Sequence, residues 1–189
     1  MIPTLPFPAR PELLLCHPTP KPLHGQAPRV IYGDSWWQKK RQEVYAFSNY
    51  SCCACGVHKS QAAFKRQVEA HERYEIFYSE GYMVMKEIIS ACPFCHSYIH
   101  ANRLEAMTQA GIYSKAFQDA VISHGEAILR RAGLPLRPEV PPEETHAPWK
   151  EWRILVEDGM PYYSKFIDER HWRAHYAAEN AKQLRGKSS

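Results

Sequence analysis

The chain has 189 residues, 24 Lys and Arg against 20 Asp and Glu, and a formal net charge of +4, with 44% hydrophobic and 12% aromatic residues. That apolar content excludes a chain disordered throughout, and no apolar run is long enough for a membrane span. The modest positive charge permits nucleic acid as a partner without requiring it. The N-terminus lacks a basic-then-apolar leader, so a cytoplasmic location is expected. There, six cysteines read as metal ligands rather than as a disulfide framework.

Residues 1–28 carry eight prolines and little periodicity, and are expected to form an extended arm. Asp34 or Ser35 can cap a helix running to about Phe47. Trp37, Val44 and Tyr45 share one of its faces, and Lys39, Lys40 and Arg41 lie near the other. The segment Ser51-Cys52-Cys53-Ala54-Cys55-Gly56-Val57-His58 reads as a tight knuckle. Two β-rich stretches follow, about Gln67–Tyr78 and Tyr82–Ala91, joined by a Ser79-Glu80-Gly81 turn. Pro93 can open a helix that Gly111 ends, and a further helix fits Lys115–Ala132, where Phe117, Val121, His124 and Ile128 recur at helical spacing. After a proline-rich, acidic linker at 135–148, Trp152–Glu157 and Met160–Phe166 form a second expected hairpin about Asp158-Gly159. A last helix spans Glu169–Gln183, and the final residues are expected to fray. The expected fold class is α+β. Its parts are the arm (1–28), a zinc-bound domain (29–134), the linker (135–148) and a C-terminal hairpin-helix unit (149–189).

Cys52-x-x-Cys55 and Cys92-x-x-Cys95 form the most specific pattern. A CxxC knuckle supplies two thiolates from one turn, and two knuckles close a tetrahedral zinc site with no open position, which makes the site structural. Such a zinc would tie the knuckle to the start of the following helix. Cys53 gives the poorer CxC spacing, and Cys16 stands alone in the arm.

His71 lies in the first β-rich stretch, while His96 and His100 stand four residues apart on the helix that begins at Pro93. That spacing places both imidazoles on one helix face, where they could grip one divalent ion. Taken singly, a histidine is ordinarily packed or solvated, and His17, His24, His58, His124, His146, His171 and His175 are read so.

The order CxxC, histidine-bearing strand, CxxCH-x3-H resembles the HNH (His-Me finger, ββα-metal) endonucleases. The nearest likeness is to bacterial and phage members with a His-Glu-Arg-aromatic strand, matched by His71-Glu72-Arg73-Tyr74. The resemblance covers about Leu23 to Arg103, including Leu23-His24-Gly25, Pro28-Arg29 and Trp36-Trp37. It implies a ββα-metal core with structural zinc, and the C-terminal hairpin-helix unit beyond it reads as a ββα appendage. The implied activity is metal-dependent hydrolysis of DNA phosphodiester bonds, giving 5′-phosphate and 3′-hydroxyl ends, in a bacterial cell or phage-infected host. His71 would then be the general base, and His96 and His100 ligands of a catalytic divalent metal (Mg2+, Mn2+, Ni2+ or Zn2+).

Three features depart from the family pattern. Ala70 occupies the place of a ligand, Glu87 falls near the bracing asparagine, and the usual glycine-rich loop is missing before Cys92. Glu72, or alternatively Glu69, is the candidate for the missing carboxylate. These departures keep open a catalytically degenerate zinc protein that binds nucleic acid or a protein partner. Lys39, Lys40, Arg41, Lys65, Arg66 and Arg103 are the candidate contacts to DNA, expected to be double-stranded. The C-terminal unit is a candidate surface for a protein partner.

Overall fold

In the computed structural model of the chain, residues 2–185 are described. The architecture is α+β, with a four-stranded sheet in the order β1-β2-β3-β4 and six α-helices. The strands are β1 (Glu69–Phe77), β2 (Tyr82–Ala91), β3 (Arg153–Leu155) and β4 (Pro161–Tyr163). The helices are α1 (Pro28–Tyr32), α2 (Asp34–Phe47), α3 (Pro93–Ile99), α4 (Ala101–Gln109), α5 (Lys115–Arg131) and α6 (Glu169–Arg185). No helix among the described residues is long and apolar enough to cross a membrane. The final residues expected to fray, 186–189, lie outside the described residues.

The chain divides into two units, each discontinuous in sequence. The first comprises residues 1–18, 32–74 and 86–140, and the second 19–31, 75–85 and 141–189. These boundaries cut across a sequential division at 28, 134 and 148, because the long hairpin β1–β2 contributes its open end to one unit and its turn to the other.

The first unit is built around Leu13, Leu14, Ile89, Tyr98, Leu104, Val121 and Leu129, together with the buried cysteines. Here the arm departs from its expected extended form. Pro11–Leu15 coils into a 3-10 turn with Leu13 only 1% exposed, because Pro11 suits the first position of the turn and burying Leu13 and Leu14 stabilises it. The arm is also tied down by backbone bonds. Arg10 N–H donates to Cys53 O (2.8 Å), and Cys53 N–H donates to Ser90 O at the end of β2 (2.7 Å).

The helix expected from Pro93 to Gly111 is instead two helices. His100 at φ −92°, ψ 45° is both the last cap of α3 and the first of α4. His100 N–H donates to His96 O (3.2 Å) and His100 O accepts from Leu104 N–H (2.9 Å), so one residue closes the first helix and opens the second. Ser114 caps α5 by accepting from Phe117 N–H (3.1 Å). The buried stripe of α5 is Val121, Gly125 and Leu129, one step round from the expected Phe117–Val121–His124–Ile128 row. Gly125 sets that rotation, because a Cβ there would lie 2.2 Å from the Tyr98 ring.

In the second unit, Trp152, Ile154 and Phe166 are buried with Met83 and Leu23. The strands expected over Trp152–Glu157 and Met160–Phe166 shorten to three residues each. β3 runs parallel to β2 (Met83 opposite Ile154) and antiparallel to β4 (Ile154 opposite Tyr162). The C-terminal hairpin therefore extends the first sheet rather than standing apart. Trp152 closes its own turn by donating Nε1–H to Ala147 O (3.0 Å).

Candidate metal centres and the cleft beside them

Both candidate centres lie in the first unit. After α2, Asn49 and Tyr50 take left-handed φ values of 50° and 54°, turning the chain sharply into the knuckle. Cys52 N–H then donates to Val57 O and Gly56 N–H to Cys52 O, both at 2.8 Å. Gly56 at φ 78° provides the left-handed step that this closed loop requires. The second knuckle forms at the start of α3, where Cys92 is the N-cap and its sulfur accepts from Cys95 N–H (3.5 Å).

The ligand atoms of Cys52, Cys55, Cys92 and Cys95 all lie within 4.8 Å of one another. The Cys55 and Cys92 sulfurs are 3.9 Å apart. Zinc–sulfur bonds of about 2.3 Å give a tetrahedron whose sulfurs stand about 3.8 Å apart, so four thiolates at this spacing fit one such ion. Cys52 and Cys95 are fully buried, so the cluster could hold a structural metal ion. The thiols ionise unequally. Hydrogen bonds from Cys52, Cys55 and Cys95 draw Cys92 far below the usual thiol range, while Cys95 and Cys55 are pushed up, chiefly by Cys52. A bound divalent cation would override this inequality by stabilising every thiolate at once. His124, expected to be packed or solvated, places its Nε2 3.6 Å from Cys95 Sγ. Nothing in its spacing signalled this, because α5 brings it there from 29 residues away. Cys53 is buried beside the cluster but outside it, and burial pushes its thiol up.

The second centre joins His71 of β1 with His96 and His100, at and just beyond α3. Their ligand atoms also lie within 4.8 Å of one another. His71 Nδ1 stands 3.1 Å from His100 Nε2, with ring centroids 4.8 Å apart; the His71–His96 centroid separation is 5.5 Å. Imidazoles about 2.1 Å from a common ion have nitrogens about 3.0–3.4 Å apart for octahedral or tetrahedral angles, so this spacing is compatible with one bound ion. His71 is 6% exposed. Burial, reinforced by the nearby His100 and His96, pushes its pKa well below the usual histidine value, and burial likewise lowers His100 to about 4. Both rings are therefore neutral near pH 7, the form that accepts a proton or a metal.

The carboxylate beside this cluster is Glu69, not Glu72. Glu69 Oε2 pairs with His96 Nδ1, and that hydrogen bond holds Glu69 below the usual carboxylate range. With Nδ1 so engaged, His96 keeps Nε2 free for the cluster. Glu72 is one residue from His71 and so on the opposite face of β1, where burial, and after it the Glu72 charge, raise the Tyr74 pKa. Strand alternation carried that signal: Glu69 and His71 are two apart.

Glu87, at the expected position of the bracing asparagine, is committed elsewhere. It accepts from both terminal nitrogens of Arg10 (2.9 and 2.7 Å) and from Arg73 Nε (2.7 Å).

A cleft of about 220 Å³ opens beside His96 and His100, and Lys65, Arg103 and Glu69 also line it. Lys65 and Arg103 are thus the two expected DNA-contacting cations that reach the histidine cluster. Lys39, Lys40, Arg41 and Arg66 do not line this cleft. Lys40 lies against the Trp36 ring (5.6 Å), and Arg41 is half-buried with its Nε enclosed. The apolar rim, Phe64 and Tyr113, carried no sequence signal because residues far apart in the chain compose it. Other histidines take local tasks: His58 accepts from Ser60 N–H, and His24 bridges Trp172 Nε1 and Thr19 O.

No family model matches the chain, nor does any curated protein or solved structure.

Proposed function

We propose that this chain is a metal-dependent endonuclease of the HNH type that hydrolyses DNA phosphodiester bonds on a zinc-stapled ββα-metal core. The observation that carries the reading is the meeting of His71, His96 and His100 around one point, beside a cleft lined by Lys65 and Arg103. The succession β1, β2, α3, with one cysteine pair before it and one at its helix start, supports the same reading.

When bound, a divalent cation (Mg2+, Mn2+, Ni2+ or Zn2+) would neutralise charge developing on the phosphoryl oxygens and the leaving oxygen. His96 and His100 would hold it, and Glu69 orients His96 by fixing its Nδ1. His71, neutral near pH 7, takes the proton of the attacking water as general base. Lys65 and Arg103 bind the flanking phosphates, an attraction that weakens with salt. A zinc held by Cys52, Cys55, Cys92 and Cys95 would keep α3, and with it His96, in register with β1.

The depth of His71 and its 3.1 Å approach to His100 favour a second reading, in which His71 completes the ligand set instead of serving as the base. Ala70 and the committed Glu87 favour a third, a degenerate binder of nucleic acid or protein. One experiment separates the three: supercoiled plasmid is incubated with parent and His71→Ala under Mg2+, Mn2+ or Ni2+, and metal uptake is titrated in parallel. A general base predicts nicking by the parent, loss of about 10²–10⁴ in rate for the variant, and unchanged metal stoichiometry. Loss of metal uptake together with nicking assigns His71 as a ligand. No nicking by the parent under any metal rejects hydrolysis.

A further inference from the structure

The Phe64 side chain is 55% exposed on the rim of the cleft that contains His96 and His100. An exposed apolar residue is ordinary by itself, but the backbone beneath this one is not. Phe64 has φ +71°, a left-handed value that a bulky L side chain rarely adopts. Lys65 N–H donates to Ala63 O (2.9 Å), so residues 63–65 form a γ-turn of the strained, positive-φ kind. A strained turn thus carries a large apolar ring at the edge of a polar cleft.

The ring's surroundings explain how it is held. Phe64 leans on Phe117 (centroids 4.6 Å, planes 47° apart) and meets Tyr113 edge-on (6.3 Å, 87°). Phe117 is backed by Phe94 on α3, whose neighbour His96 belongs to the histidine cluster. Lys65 Nζ stands 5.3 Å from the Phe64 centroid, and Arg103 lines the same cleft. One small surface therefore combines a supported aromatic face with two cations and the imidazoles of His96 and His100.

We propose that Phe64 is a stacking platform for an unpaired nucleobase of a DNA strand, with Lys65 and Arg103 taking that strand's phosphates. The inference rests on the nuclease reading and names its substrate class: DNA with unpaired bases at or next to the cleaved phosphate. It departs from the double-stranded substrate expected from the sequence. Charge complementarity selects a polyanion, and an aromatic face beside the cations selects one whose bases are unstacked. In a regular duplex the base faces are covered, leaving only phosphates to meet this surface. Stacking on an aromatic side chain is tolerant of base identity, so selectivity for strand state is expected rather than for sequence.

The test uses the full zinc-loaded chain without added catalytic metal, so that binding is read without cleavage. Fluorescence anisotropy compares a short labelled oligothymidylate, an abasic strand of equal length and a blunt duplex. The parent is expected to bind the oligothymidylate about tenfold more tightly than the abasic strand. Phe64→Leu, which keeps an apolar contact with Phe117, should lose that preference while binding the abasic strand as the parent does. Phe64→Trp should keep it, and zinc content with circular dichroism checks that each variant is folded. Equal parent binding to both strands, tighter binding to the duplex, absence of binding, or preference retained in Phe64→Leu overturns the platform. Plasmid nicking reports separately: a parent that nicks without base preference loses only the platform. A parent with base preference that cleaves neither plasmid nor single-stranded oligonucleotide under Mg2+, Mn2+ or Ni2+ keeps the platform and loses the nuclease.

Discussion

Glu69 and Glu72 flank His71 on the same strand, yet only Glu69 reaches the histidine cluster, because consecutive strand residues point to opposite faces. The same scale explains Glu87, whose carboxylate is shared by Arg10 from the arm and Arg73 from β1. Arg10 first, and Arg73 after it, hold Glu87 below the usual carboxylate range against the opposing effect of burial. The folded pKa is thus lower than the unfolded one. The stabilisation is fully present above the unfolded value of about 4.3 and is lost as pH falls through the folded value. Glu87→Gln should therefore be less stable than the parent at pH 7 by about 1 kcal/mol, a figure discounted for the partial exposure of Arg10. Urea titrations of both proteins should converge as pH falls through the folded value. A difference that persists unchanged into acid would show that the pair contributes through packing rather than charge.

Among the elements, α3 and α5 depend most closely on one another, since Tyr98 of α3 lies where a side chain at Gly125 would project. Tyr98 is fixed from the other side as well, donating to Leu136 O and accepting from Arg137 (both 2.7 Å). In an isolated helix Gly→Ala would stabilise by about 1 kcal/mol. Here a Cβ 2.2 Å from a ring carbon must displace Tyr98, an overpacking cost of about 1–3 kcal/mol that exceeds the helix gain or offsets it. Gly125→Ala should accordingly lower the melting temperature of the zinc-loaded protein by several degrees. A rise in melting temperature would mean that the α3–α5 packing is looser than these distances require. The break at His100 belongs to this scale too, because it divides an otherwise continuous helical segment at a residue of the histidine cluster.

For the molecule as a whole, the two units rest on different means of stabilisation. The first packs Leu13, Leu14, Ile89, Tyr98, Leu104, Val121 and Leu129 against the four cysteines, whereas the second buries Trp152, Phe166, Met83 and Ile154 around its short strands. A metal held by the cysteines contributes its binding free energy to the fold of the unit that contains it. Stripping zinc with a strong chelator should therefore abolish amide-exchange protection at Cys52–Val57, the end of β2 and α3. Protection around Trp152–Phe166 should persist. Replacing Cys92 by Ser should reproduce the pattern and release about one equivalent of zinc. Uniform loss, or unchanged protection in the first unit, would refute this division.

Several features were legible because they are local in sequence: the two CxxC knuckles, the hairpin about Ser79-Glu80-Gly81, the proline start of α3 and the span of α5. Backbone hydrogen bonding, turn chemistry and side-chain periodicity fix these within a few residues, so sequence spacing is enough to read them. The folding of the arm around Leu13 and Leu14, the extension of β2 by β3 and the approach of His124 to Cys95 were decided only by tertiary packing. So was the meeting of Phe64 and Lys65 with Arg103 at one cleft. Each of these joins groups by burial or charge pairing across long stretches of chain, and those forces act through space and leave no period in the sequence.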